Sequence, residues 1–226
     1  MVHLRSLFFS DSYSVAEKKA LNSYHKGGVS SIIWQITHNC NLRCRHCYAD
    51  AGKPFLDELS TKEAFDVIDQ LDKIGKPLLF ITGGEPLMRH DVYDILSDSV
   101  KRGMRVILST NGTMITSSIA DKIKATGVHY VMVPIYGPEK FHDFYTQIEG
   151  SYKRVISAIG HLRDRGIRFG FKTVVTKNTY RHIPYLFELA YEYGATLVYI
   201  CDLITSGRGA TLKEERLNKD EWRKLM

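Results

Sequence analysis

The chain has 226 residues, 44% of them hydrophobic and 25% charged, which are the proportions of a globular protein large enough to bury a sizeable core. No run of about 18 apolar residues occurs and the N-terminus lacks the apolar centre of a signal peptide, so we expect neither a membrane span nor secretion. The net charge of +6 is scattered and is not interleaved with aromatic residues, so it does not indicate nucleic-acid binding.

Strands and helices alternate along residues 31–205, which we interpret as one domain preceded by an N-terminal extension, residues 1–30. Short apolar and β-branched runs predict six strands, at 31–37, 77–84, 104–112, 128–137, 167–176 and 195–204. The segments between them predict five helices, at 60–75, 90–103, 115–127, 150–166 and 179–194. The first helix has Ser60 and Glu63 in the capping-box pattern, and Pro184 lies in the first turns of the last one.

This alternation predicts a parallel sheet with helices outside it. Right-handed crossovers would curl six such units into a partial (β/α)6 barrel of the TIM type, with a doubly wound open sheet as the second candidate. The charged residues 206–226 predict a helix outside the barrel. The sequence stops within that predicted helix without a glycine or capping residue, so we expect this segment to be truncated.

Each of the conspicuous loops follows the end of a predicted strand. The cysteines follow the first strand, and TGGEP, STNG, PIYGP, TKN and SGRG follow the others in order. In parallel β/α folds the ligand site is built where the strands end. The sequence therefore predicts a single site at the mouth of the barrel.

Three of the four cysteines, Cys40, Cys44 and Cys47, lie in THNCNLRCRHCYAD. Their adjacent placement favours metal ligation in a reducing compartment over a disulfide framework, so we expect a cytoplasmic protein. Three thiolates suit zinc or an iron–sulfur cluster. Structural zinc would need a fourth ligand, which His38 or His46 could supply, whereas a [4Fe–4S] cluster on three cysteines leaves one iron open to a substrate or cofactor.

The C-x3-C-x2-C motif after the first strand, GGEP after the second and STNG after the third together resemble the radical S-adenosylmethionine (SAM) enzymes, over most of the chain. The resemblance implies a partial (β/α)6 barrel in which Cys40, Cys44 and Cys47 ligate a [4Fe–4S] cluster whose open iron binds SAM. One electron from the cluster would cleave SAM to methionine and a 5'-deoxyadenosyl radical that abstracts a substrate hydrogen. A low-potential electron donor, a ferredoxin or flavodoxin, is also implied.

The GGEP loop has features that suit a ligand. Gly83 and Gly84 have no Cβ, so a ligand could approach the backbone closely. Glu85 offers an acceptor for an ammonium group, and Pro86 stiffens the exit of the loop. The alternative is a plain tight turn.

The remaining loops offer further candidates. Ser109 and Asn111 could hydrogen-bond hydroxyls or a carboxylate, as the resemblance implies for the ribose and methionine parts of SAM, although Asn-Gly is also a common turn pair. His46 stands where the family often has an aromatic residue against adenine, and the alternative is a solvent-facing loop histidine. PIYG departs from the S-L-D-G of many members, which leaves Tyr136 as a catalytic candidate that donates a hydrogen bond to the substrate, or as a packed tyrosine.

Two residues near the end of the domain are open to interpretation. We interpret Cys201 as a small buried hydrophobic residue rather than a ligand. Arg208 in SGRG could bind a carboxylate or form part of a helix-entry turn.

Longer strings, among them VILSTNGTMI and DLITSGRGA, resemble the SPASM/Twitch-type branch that acts in the anaerobic haem pathway, in haem d1 formation and in pyrroloquinoline-quinone maturation. The branch implies a tetrapyrrole substrate, with a ribosomal peptide or cofactor precursor as the alternative. The sequence has no cysteine after Cys201, so we expect the auxiliary-cluster extension of that branch to be absent. A non-catalytic iron–sulfur or zinc module is the alternative from another class, which the GGEP and STNG loops disfavour.

Overall fold

The computed structural model describes residues 30–53 and 55–225. Its strands are β1 Ser31–Gln35, β2 Leu78–Thr82, β3 Val106–Ser109, β4 Tyr130–Pro134, β5 Phe169–Val175 and β6 Val198–Asp202. Its α-helices are α1 Thr61–Lys73, α2 Val92–Lys101, α3 Ser117–Thr126, α4 Glu139–Thr146, α5 Ser151–Asp164, α6 Ile183–Tyr193 and α7 Lys219–Leu225. Short 3-10 helices cover Pro86–Met88, Tyr180–His182 and Gly207–Glu215.

The six strands form one parallel sheet in chain order, from β1 to β6. Each strand pairs with the next, so that Trp34 lies opposite Ile81 and Met132 lies opposite Gly170. A doubly wound sheet changes the direction of its strand order at a switch point, so the consecutive order excludes that second candidate. The sheet curls into a half-barrel with helices around it, which confirms the predicted partial (β/α)6 fold.

The main hydrophobic core lies between the convex face of the sheet and the helices. Leu79 and Ile81 of β2 and Val131 of β4 are fully buried in it, together with Ile68 of α1 and Leu96 of α2. Truncating one such leucine or isoleucine to alanine typically costs about 2–5 kcal/mol. This core therefore supplies a rigid base for the loops that follow the strands.

The start signals of two helices are confirmed in their local geometry. The Ser60 Oγ accepts a hydrogen bond from the Glu63 amide, and the Glu63 side chain accepts one from the Ser60 amide at 2.8 Å, which completes the capping box of α1. Pro184 lies in the first turn of α6, where no backbone N–H has to donate within the helix.

Other parts of the chain differ from the sequence-based expectation. Helix α4 was not predicted, although Pro138 at its N-cap and the apolar spacing of Phe141 and Tyr145 were available signals. The C-terminal segment begins as the 3-10 helix Gly207–Glu215 rather than as an α-helix. Residues 1–29 of the predicted extension lie outside the described residues.

The concave face of the sheet holds a second, smaller set of side chains. Alternate strand residues point to opposite faces, so Ser109 of β3, Lys172 of β5 and Cys201 of β6 point away from the main core and towards the interior of the half-barrel. Among the described residues, no helix combines the length and apolar character needed to cross a membrane.

Candidate functional site

Residues 36–53, which we call the cysteine loop, follow β1 and carry Cys40, Cys44 and Cys47. All three cysteines are free, and each residue is half-buried. The Leu42 amide donates to the Cys40 Sγ and the Ala51 amide donates to the Cys47 Sγ, each at 3.4 Å. Such hydrogen bonds stabilise thiolates that ligate a cluster.

Two of the three thiols, Cys40 and Cys44, have raised pKa values and are protonated in the metal-free chain. Burial raises the pKa of Cys40, and burial together with the neighbouring Cys40 and Cys47 raises the pKa of Cys44 to about 12, although Arg208 opposes this effect. Because a metal binds the thiolate, cluster binding to these cysteines has to release protons.

The donor set suits an iron–sulfur cluster, and His38 is not available as a fourth ligand for zinc. His38 has both ring nitrogens facing carbonyl oxygens of the loop, Nδ1 at 2.9 Å from Lys53 O and Nε2 at 2.5 Å from Ala49 O, so it offers no free nitrogen for zinc. Within residues 30–53 and 55–225, no three His, Cys, Asp or Glu side chains lie close enough together to hold a single metal ion. A [4Fe–4S] cluster, in which each thiolate binds a different iron, requires no such close approach.

The GGEP loop is packed against the backbone of the cysteine loop. The Gly84 amide donates to Thr37 O and the Glu85 amide donates to Asn39 O, both at 2.7 Å. A Cβ on Gly84 would lie 2.4 Å from Asn39 O, and one on Gly83 would lie 2.5 Å from Thr37 O. The close approach that requires glycine at these positions is therefore made by the cysteine loop itself. The approach of a ligand to Gly83 and Gly84 stays a prediction.

Glu85 joins the ends of β2 and β3. Its carboxylate is fully buried and accepts hydrogen bonds from the Leu87 amide at 3.0 Å, the Thr110 hydroxyl at 2.7 Å and the Asn111 amide at 2.6 Å. Burial raises its pKa, although these three donors and the nearby Lys172 oppose the effect. The predicted contact of Glu85 with an ammonium group stays a prediction, and Pro86 opens the 3-10 helix behind it.

The STNG loop also reaches the cysteine loop. The Asn111 Nδ2 donates to the Asn41 Oδ1 at 2.8 Å and lies 4.0 Å from the Cys40 Sγ. Ser109 lies deeper, where its hydroxyl accepts a hydrogen bond from the Lys172 ammonium group. The structure thus brings together the cysteine, GGEP and STNG loops, as the sequence predicted.

Lys172 was missed by the sequence analysis. It lies within the apolar strand β5, and a lone lysine in IRFGFKTVV was the available signal. Its ammonium group donates to Ser109, a residue of the predicted site. Burial lowers the pKa of Lys172, while Cys201, Glu85, Cys44 and Cys40 favour its charged form.

The side chain of His46, in the cysteine loop, contacts that of Tyr136, which follows β4. The sequence analysis proposed the two as site residues without linking them. The His46 Nε2 and the Tyr136 hydroxyl are hydrogen-bonded at 3.0 Å, and the His46 ring stacks on the Tyr145 ring at 5.0 Å. Burial lowers the pKa of His46 to about 3, helped by the positive charges of Lys172 and Arg208, so the imidazole is neutral. The buried His46 Nδ1 has no hydrogen-bond partner among the described residues.

The last two candidates lie at β6 and just after it. Cys201 is partly buried, and burial raises its pKa to about 11, although Lys172 opposes the effect. Arg208 binds the Asp50 carboxylate at 2.6 Å and the backbone of the cysteine loop. The sequence analysis considered a carboxylate contact and a helix-entry turn for Arg208. The structure has both, since Arg208 binds a carboxylate of its own chain and lies in the first turn of a 3-10 helix.

Comparisons with known sequences show which proteins this chain resembles. A sequence profile of the Radical SAM superfamily matches residues 34–190. The AdoMet-dependent heme synthase of Nitratidesulfovibrio vulgaris is 36% identical over 86% of this chain and 54% of its own length. The Fe-coproporphyrin III synthase of Methanosarcina barkeri is 34% identical over 86% of this chain and 49% of its own length.

The fold is also found in solved structures. The crystal structure of Streptococcus suis SuiB bound to S-adenosylmethionine superposes with a TM-score of 0.78, at 16% identity, over 93% of this chain and 50% of that chain. At this identity the similarity concerns the fold alone. The chain spans about half the length of the curated relatives that it matches.

Proposed function

The chain belongs to the radical SAM superfamily, whose members use a [4Fe–4S] cluster and SAM, and from this premise we propose that it is the barrel of a radical SAM enzyme of haem-type tetrapyrrole biosynthesis. The observation that carries the proposal is the convergence of three loops: the cysteine loop is hydrogen-bonded to GGEP through Gly84 and to STNG through Asn111. A module that only bound metal would not require the second and third loops.

In this proposal Cys40, Cys44 and Cys47 hold the cluster, and the amides of Leu42 and Ala51 stabilise the thiolates. When bound, the cluster and SAM supply the one-electron chemistry that generates a radical for hydrogen abstraction. The protein holds these groups in position and excludes water from them.

The concave face offers complementary groups for SAM. Lys172 supplies a positive charge and, with the Ser109 hydroxyl, forms a site for the SAM carboxylate. Glu85 and Asn111, at the ends of neighbouring strands, provide acceptor and donor groups at the same edge. The neutral His46 ring, supported by Tyr145, offers a flat surface for the adenine.

Tyr136 has a positioning role in this scheme. Its side chain is only 6% exposed and its hydroxyl holds the His46 ring. Burial raises the pKa of Tyr136 well above its ordinary value, so the hydroxyl stays protonated. It therefore orients His46 as a hydrogen-bonding partner and does not serve as a base.

The proposed substrate class rests on the two relatives that are named as heme and Fe-coproporphyrin III synthases. The chain spans about half of their length, so the substrate class of the whole relatives is carried over to it as a proposal. We place the reaction in the cytoplasm, in agreement with four free cysteines. We further propose an acidic ferredoxin or flavodoxin as the electron donor, attracted by the net charge of +6.

The test is anaerobic reconstitution with iron and sulfide, reduction by dithionite and measurement of 5'-deoxyadenosine from added SAM. Cys44→Ala should abolish both the cluster and the product, whereas the matched variant Cys201→Ala should still take up iron and sulfide, because Cys201 is not one of the three proposed cluster ligands. Binding of zinc without sulfide would contradict the cluster assignment. A loaded cluster that yields no 5'-deoxyadenosine would contradict the enzymatic proposal for this chain.

A further inference from the structure

The SGRG segment, residues 206–209, lies directly against the backbone of the cysteine loop. The Ser206 hydroxyl donates to Tyr48 O at 3.2 Å, and the Gly209 amide donates to Cys47 O at 3.4 Å. Gly207 has a φ of +54°, and a Cβ on it would lie 2.6 Å from Tyr48 O and 2.7 Å from Cys47 O. The glycine is required there because the two backbones touch.

The guanidinium group of Arg208 connects two separate parts of the cysteine loop. Its Nε donates to Cys44 O and its Nη1 donates to Ala51 O, both at 2.9 Å, and Nη1 also binds the Asp50 Oδ1 at 2.6 Å. The side chain is 22% exposed, so water competes only partly for these bonds. Cys47 lies between the two carbonyl acceptors in the sequence, and its own amide donates to Cys44 O at 3.2 Å.

We propose that Arg208 is a positioning residue of the cluster site. Its planar fork fixes the chain on both sides of Cys47, so that Cys44 and Cys47 present their thiolates to one cluster. It also holds a positive charge at the backbone of Cys44, and this charge favours the reduced state of the cluster. This role of Arg208 deepens the proposed function and rests on it, because it assumes that a cluster binds to the three cysteines. The contacts of Arg208 with the cysteine loop do not depend on that assumption.

Arginine is required by the geometry of the contact. A guanidinium group can donate in several fixed directions from one plane, whereas a lysine ammonium group is a point charge on a flexible stem. Arg208→Lys therefore keeps the charge but loses the bridge between Cys44 O and Ala51 O. Arg208→Gln loses both the charge and the bridge.

Arg216 provides the matched control. It lies in the same C-terminal segment and is paired with Asp202, and the two side chains are 54% and 37% exposed. The Arg216→Gln variant removes the same charge from the same segment without touching the cysteine loop.

The first measurement is hydrogen exchange of the metal-free full chain. The amides of residues 44–51 should exchange at least about tenfold faster in Arg208→Gln and Arg208→Lys, because their local opening is no longer opposed by the bridge. The amides of α2 should keep the parent rate in both variants, and Arg216→Gln should match the parent throughout. Parent rates for residues 44–51 in both Arg208 variants would overturn the bridging role.

The second measurement is a redox titration of the reconstituted protein, followed by electron paramagnetic resonance. Arg208→Gln should titrate at a lower potential than the parent, and Arg208→Lys should restore the parent value. A parent potential in Arg208→Gln would overturn the electrostatic role. A parent chain that takes up no iron and sulfide would contradict the proposed function instead, and the exchange rates would still decide whether Arg208 holds the loop.

Discussion

Lys172 of β5 donates a hydrogen bond to Ser109 of β3 across the intervening strand β4. Ser109 lies opposite Met132 and Lys172 lies opposite Pro134, so the lysine side chain passes diagonally over β4 on the concave face. This contact places a cation within the ring of loops that holds the three cysteines. No local sequence signal connects the two residues, which are 63 positions apart.

The first prediction concerns Lys172→Met in the cluster-loaded protein. The variant should bind SAM about 10–100-fold more weakly, because a hydrogen bond to a charged group contributes about 1.5–3 kcal/mol. The dissociation constant of SAM can be measured by equilibrium dialysis under anaerobic conditions. Lys153→Met, which removes an exposed ammonium group paired with Glu139, is the control. An unchanged dissociation constant in Lys172→Met would remove Lys172 from the SAM site.

The second prediction concerns Gly84→Ala. The new Cβ would meet the backbone at Asn39 O, 2.4 Å away, so the cysteine loop has to move. We expect the variant to retain less than half of the parent's iron after reconstitution and desalting, as measured by iron analysis. The matched variant Gly160→Ala adds the same methyl group within α5, where nothing lies within 4 Å. It should keep full iron content and gain about 0.5–1 kcal/mol of stability.

The third prediction concerns Glu85→Gln, which keeps the shape of the side chain. A glutamine side chain has only one acceptor oxygen, and an NH2 group replaces the second oxygen of the carboxylate. That NH2 group would face one of the three donors that now bond to Glu85, at Leu87, Thr110 or Asn111. The free energy of unfolding should fall by about 1.5–3 kcal/mol. Urea denaturation of the metal-free chain measures this loss, with the exposed Glu188→Gln as the control. Equal stability of Glu85→Gln and the parent would show that the carboxylate charge is not needed.

The fourth prediction concerns Asp143 and how its contribution to the free energy of unfolding changes with pH. Burial alone would raise its pKa, but hydrogen bonds from the Tyr152 amide, the Ser151 hydroxyl and the Gly150 amide outweigh this effect and lower it. A carboxylate with a lowered pKa stabilises the fold above its unfolded-state pKa of about 3.9, and the stabilisation is lost as the pH falls through the folded-state pKa.

Asp143→Ala should therefore lower the free energy of unfolding at pH 7 by about 0.5–2 kcal/mol, the range typical of losing a side chain that accepts from the first amides of a helix, because the Gly150 and Tyr152 amides at the start of α5 lose their acceptor. The difference from the parent should shrink as the pH is lowered towards 3. Urea titrations of both proteins at several pH values measure it. A difference that grows at low pH would have the wrong sign for this mechanism.

The fold was largely predictable because its signals are local. The capping box of Ser60 and Glu63 and the apolar runs of the strands depend on neighbours only a few residues away. Helix α4 was missed because it has only eight residues and carries polar residues such as Asp143, whose partners lie at the start of α5. Its carboxyl end holds the cysteine loop, where the Arg45 amide donates to Tyr145 O at 3.0 Å.

The sequence by itself determined the family and the fold, because the spacing of Cys40, Cys44 and Cys47 and the alternation of strands and helices are set within short stretches of the chain. Which residues bind the cluster and SAM stays a prediction. Only the tertiary structure decided the partners of Gly84, Lys172 and Arg208. The reason is physical, since Arg208 and Cys44 are 164 positions apart and meet only through the curvature and register of the whole sheet. Residue spacing therefore specifies which groups are available, and the curvature of the half-barrel specifies which of them touch.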